Sequence, residues 1–116
     1  MFDEFVQEKK STGGLLKKES NTIYYNVTSK DTKYVVMVSL VKSEQPEELL
    51  CVRVAHKVPH DGKYLEKCNS FNCATVSVIA SIKDDVLTAS SALHNPTREL
   101  IDTEVVQLIT VLEYLM

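Results

Sequence analysis

Four side chains in the middle of the chain are of the types that hold metals or attack carbonyl carbons: His56, His60, Cys68 and Cys73. Zinc takes neutral imidazole and thiolate in a tetrahedral set, so two histidines and two cysteines are a suitable inventory. Their spacing is not suitable. Cys68 and Cys73 fall in "KYLEKCNSFNCA", which reads as a helix, and five residues at 3.6 per turn set them about 140° apart on its circumference. They cannot share a ligand cluster unless the helix unwinds, and no CxxC pair takes their place. A Cys/His nucleophile needs a base within hydrogen-bond reach and an oxyanion donor, and no glycine-rich elbow flanks Cys51, Cys68 or Cys73. The cysteines therefore read as small buried hydrophobes. Asp84-Asp85 could be paired carboxylates, but they are adjacent residues between two apolar runs. They read as a turn, because Asp tolerates the backbone angles a turn requires. Gly13-Gly14 lack the Lys-Ser/Thr ending of a phosphate-binding loop, and His94 reads as a loop residue. No catalytic residue, metal or cofactor is expected. The alternative is a small metal-binding or Cys/His enzyme built on His56, His60, Cys68 and Cys73.

The bulk composition narrows the field. The 116 residues, 44% hydrophobic and 25% charged with three glycines and three prolines, suit one globular domain over residues 1–116 with one modest core. A formal net charge of -3 offers no electrostatic footprint for a polyanion, so no nucleic-acid partner is expected. The apolar runs "YVVMVSLV" and "VVQLITVL" fall far short of the roughly 20 residues that cross a bilayer, so no membrane partner is expected either. Three cysteines cannot all pair within one chain, and the opening "MFDEFVQEKK" is charged throughout. A reducing cytoplasm is the expected location.

The elements that would position any site follow from periodicity. Phe2, Phe5 and Val6 sit at helical spacing before Gly13-Gly14 breaks the pattern. "TIYYNVTS" alternates, with Ile23, Tyr25 and Val27 on one face, and "SKDTK" turns into the next strand. In "KYVVMVSLVKS", Tyr34, Val36, Val38 and Leu40 alternate with Val35, Met37 and Val41, so both faces are apolar. Such a strand is expected to be central and covered on both sides. After the acidic loop "EQPEE", Leu50, Val52 and Val54 oppose Cys51, Arg53, Ala55 and Lys57. "PHDG" breaks the chain before the helix that carries Cys68. "TVSVIASI" and "VLTASSAL" read as a hairpin across "KDD". Asn95-Pro96 reads as a cap with Pro at the first helical position. The closing helix carries Ile101, Val105, Leu108, Leu112 and Leu115 along one stripe. The expected fold is α+β, an antiparallel five-stranded sheet with helices packed on it, in the order α-β-β-β-α-β-β-α.

The residues "LEKCNSFNCATVSVIASIKDDVLTASSAL", followed by "LIDTEVVQLITVLEYL", resemble the YbjN-type family of bacterial sensory transduction regulators. Asn69 and Asn72 match an Asn-x-x-Asn-like element of that family, Asp84-Asp85 its acidic turn, and the segment from about Pro96 its closing amphipathic helix. The element order also looks like the type III secretion chaperone fold. The resemblance implies a small cytoplasmic protein without catalytic groups.

Function is therefore expected to be that of a non-enzymatic protein-binding module, a chaperone-like or regulatory adaptor that forms a homodimer and takes a protein or peptide client. Apolar surface beyond what the core uses marks such an interface. Tyr34, Val36, Met37, Val38 and Leu40 are expected to line either the core or that interface. Asn69 and Asn72 either face a partner or satisfy backbone groups of the chain itself. A structural or regulatory dimer with no client peptide is a third reading.

Overall fold

Alternating apolar and polar residues dominate the first half of the chain, and a segment with that period is extended. The computed structural model describes residues 1–44, 47–75 and 77–116, with the backbone alone for 42–44. Its elements are α1 (Phe2–Ser11), β1 (Leu15–Glu19), β2 (Thr22–Ser29), β3 (Thr32–Glu44), β4 (Glu47–Lys57), α2 (Lys63–Ala74), β5 (Ile79–Lys83), β6 (Val86–His94) and α3 (Arg98–Leu115). The strands form one antiparallel sheet in the order β1-β2-β3-β4-β6-β5. The class is α+β, but the sheet has six strands rather than the expected five. The additional one is β1, "LLKKE". It has no buried alternate set, since Leu15 is half-buried and the next four residues are exposed. Its pairing with β2 makes it a strand, and periodicity gives no sign of it.

Two further expectations shift. Where the acidic loop is expected, β3 runs on to Glu44 and β4 begins at Glu47, the two residues opposite one another; Gln45 and Pro46 lie outside the described residues. The strand expected from Thr75 begins at Ile79, because Thr75 closes α2, its N–H donating to the Phe71 carbonyl at 3.1 Å. Val76 lies outside the described residues. Both the β2–β3 and β5–β6 hairpins turn on two residues in the left-handed region, Lys30-Asp31 (φ 49° and 65°) and Asp84-Asp85 (φ 52° and 63°). Positive φ at both central residues is the turn whose twist matches the flanking strands.

One face of the sheet carries the core. Ile23 and Tyr25 of β2, Tyr34, Val36 and Val38 of β3, and Leu50, Val52 and Val54 of β4 are buried there with Leu87 and Ala89 of β6. The helices close over them with Phe2, Phe5 and Val6 of α1, Tyr64 and Cys68 of α2, and the expected stripe of α3. Each fully buried Leu, Ile or Phe in such a layer contributes about 1.5–3 kcal/mol relative to exposure. Arg98 ties α1 to α3. It is ion-paired with Glu8 and Asp102, and its guanidinium lies 4.6 Å from the Phe5 ring centroid. The cap of α3 falls later than expected. Thr97 is the N-cap, its hydroxyl accepting the Leu100 N–H at 3.2 Å, while Asn95 takes φ 47° and accepts the Glu48 N–H at 2.7 Å. Among the described residues, no helix is long and apolar enough to cross a membrane.

Candidate partner-binding face

The other face of the sheet follows from the same alternation. If Val36 and Val38 point into the core, then Val35 and Met37 point away from it. None of Tyr24, Val35, Met37, Cys51, Arg53 and Ala55 belongs to the buried cluster that the helices complete. The expectation that β3 is covered on both sides is thus corrected: none of the described helices lies over its second apolar face. The strands align these residues into rows. Lys17, Tyr24, Met37, Arg53, Ser90 and Ile79 form one row across all six strands. Asn26, Val35, Ala55, Thr88 and Ser81 form the next. Exposure is appreciable, at 41% for Val35 and 61% for Ile79. Six strands about 4.8 Å apart span about 24 Å, the lateral scale of a protein interface.

Charge is distributed unevenly over this face. Lys57 and Lys83 both lie opposite Val86, with Lys33 one pair beyond Val35 and Ala55 on the same end of the sheet. Arg53 stands in the central row. Among the described residues none of these four cations is in an ion pair. Two carboxylates described on this face, Glu19 and Glu47, sit toward the opposite end. Glu19 pairs with Lys17 at 2.8 Å, and Glu47 lies 3.6 Å from His94. Glu8, Glu66, Glu99, Asp102, Glu104 and Glu113 belong to the helices on the far side. An acidic chain therefore has one cationic, partly apolar face.

The sheet edges offer less. Asn72 donates its Nδ2–H to the Ala80 carbonyl at 2.7 Å and accepts the Ala80 N–H on Oδ1 at 2.8 Å, closing the outward-facing backbone groups of edge strand β5 at that residue. The opposite edge, β1, carries Lys17 and Lys18 and an irregular register between Leu15 and Lys17. Charged side chains and bulges are the means by which edges resist adding another strand.

The residues singled out from sequence fall into distinct places. Tyr34, Val36 and Val38 are buried in the core and Leu40 is packed against it, so of the five strand residues Met37 alone lies on the open face. Asn72 is engaged with β5, whereas Asn69 is exposed on α2. The histidines and cysteines do not converge. His56 contacts the Lys33 carbonyl through Nδ1 at 3.1 Å, beside Tyr34. His60 Nδ1 lies 2.8 Å from Asp85 Oδ1. Cys68 is buried, which pushes its thiol pKa up and makes it a poor nucleophile, and Cys73 is exposed. Among the described residues no three His, Cys, Asp or Glu side chains are grouped as metal ligands would be.

A cleft of about 570 Å³ lies between α2 and the end of α3, lined by Phe71, Ala74, Tyr114 and Leu115 with Lys63 and Lys67. Lys67 donates to the Leu115 carbonyl at 3.0 Å, supplying the cation that the last turn of α3 lacks. Lys63 lies 3.9 Å from Asp61. The cations of the cleft are thus engaged within the chain, while those of the sheet face are directed outward. No family model matches this chain, and no curated protein matches it.

Sequence reasoning did not single out Tyr24, Lys33, Arg53, Lys57, Ile79 or Lys83. Alternation placed Arg53 and Lys57 on an outward side. The signal it lacked was strand order, because only the insertion of β6 between β4 and β5 brings Lys57 and Lys83 to either side of Val86.

Proposed function

We propose that this chain is a non-enzymatic protein-binding module, a chaperone-like or regulatory adaptor, which engages a partner protein through the open face of its sheet. The observation that carries the reading is the adjoining set Tyr24, Met37, Val35 and Ala55, an apolar patch bordered by Lys17, Arg53 and Lys33, over which none of the described helices packs. Contiguous apolar surface rimmed by polar groups is where proteins meet other proteins. The resemblance of the C-terminal half to the YbjN-type regulators agrees with such a role. With Asn72 closing one edge and lysines lining the other, the face rather than an added strand is the route to affinity.

The test is site-specific photo-cross-linking in the cells that make the protein. A photoreactive residue in place of Val35 should give one discrete adduct, lost when Met37→Asp is added to a chain shown by circular dichroism to be folded. The same residue in place of Thr103, on the exposed side of α3, should give none. Adducts from position 103 alone would contradict the reading.

A further inference from the structure

We infer that the partner segment seated on the open sheet face is acidic, with carboxylates flanking an apolar anchor. This rests on the reading of that face as a protein-binding surface and names the chemistry it selects. Lys33, Lys57 and Lys83 project at one end of the face and Arg53 from its centre, and among the described residues none has a carboxylate in ion-pair contact. Asp31 and Asp84 belong to the hairpin turns beyond the lysines, not to the rows between them. Val35 and Ala55 lie between the lysines and the row of Arg53, and Met37 lies beside Arg53, so that the floor is aliphatic.

The geometry sets a spacing. Lys57 and Lys83 are on strands separated by β6, about 10 Å apart, and Arg53 is four residues along β4 from Lys57, about 13 Å. An extended segment rises about 3.4 Å per residue and turns alternate side chains to one side, so a segment running along β4 would set its carboxylates four residues apart, with an apolar side chain midway between them over Ala55. Guanidinium and ammonium groups in the partly desolvated surroundings of an interface attract such carboxylates and set the register.

Two other occupants fit less well. Single-stranded nucleic acid binds by stacking bases on aromatic rings, and Tyr24 is the one aromatic residue described on this face, with Lys17 5.7 Å from its ring centroid. Four cations also fall below the roughly 6–10 phosphate contacts of strong backbone binders. A second copy packed face to face about a two-fold axis along the strands would set lysine end against lysine end, and about an axis across the strands it would offer the lysines Glu19 and Glu47, which already lie against Lys17 and His94.

The experiment is selection of a displayed random dodecapeptide library on the full chain, followed by affinity measurement of the enriched peptides. They should be rich in Asp and Glu about an apolar residue, and Lys57→Glu with Lys83→Glu should weaken them about tenfold or more at low salt, and less at high salt. Met37→Asp should also weaken them. Peptides lost on Met37→Asp, but neither acidic nor sensitive to the two lysine changes, would overturn the acidic partner and leave the binding face standing. Failure to obtain any peptide sensitive to Met37→Asp would overturn both. Tighter binding of a fluorescein-labelled single-stranded dodecanucleotide than of any selected peptide would replace the acidic segment with nucleic acid.

Discussion

Asn72 offers Ala80 a donor and an acceptor at once, which is what a neighbouring strand would do. Asn69 and Asn72 fall in one sequence element, and the helix separates them: three residues apart, Asn72 reaches β5 and Asn69 stays exposed. Asn72→Ala would leave both Ala80 backbone groups without this partner. The expected loss is about 1–3 kcal/mol in urea unfolding, whereas Asn69→Ala should stay within about 0.5 kcal/mol of the parent. Equal effects of the two substitutions would show that the amide does not hold the edge. Tyr34, Val36 and Val38 illustrate another limit at this scale. With Val35 and Met37 they form a run that is apolar on both faces, so composition could not say which set was core; the pairing with β2 and β4 decides it.

At the scale of elements, helices and buried strands were legible because each has a buried stripe or alternate set. The five apolar positions expected of α3 are all buried in it. β1 was not legible because it buries almost nothing and is specified by its neighbour. The capping error at α3 has a local cause, since Asn95 is drawn into a bond with Glu48 on β4 that no local rule anticipates. The loop between β4 and α2 is held to the β5–β6 hairpin by the Val58 N–H to Asp85 carbonyl bond at 2.8 Å and by the His60–Asp85 pair. The hydrogen bond that His60 donates to the Asp85 carboxylate, and the charge of that carboxylate, raise the pKa of His60 above the ordinary 6.5. The protonated pair therefore favours the folded state below that ordinary value, and the contribution disappears as pH rises through the raised folded value. A proton NMR titration should place the His60 midpoint above 6.5, and Asp85→Asn should lower it. A midpoint at or below the ordinary value in the parent chain would contradict the pairing in solution.

At the scale of the whole molecule, what the sequence could not show is how distant segments share a surface. Lys33, Lys57 and Lys83 come from three strands, and their common end of the sheet depends on the order β3-β4-β6-β5. Likewise, the two apolar faces of β3 implied two covering layers, but all three helices contribute to a single core. The second face is left as surface, cationic on a chain whose net charge is -3. That asymmetry draws an acidic partner toward one side of the molecule and away from the other. The most direct measurement is hydroxyl-radical footprinting of the chain as isolated with its bound partner, compared with the same chain after the partner is removed. Met37 and Tyr24 should be protected in the complex, while Tyr114, 79% exposed on α3, reacts equally in both states. Protection of Tyr114 with unchanged oxidation of Met37 and Tyr24 would contradict binding through the open sheet face.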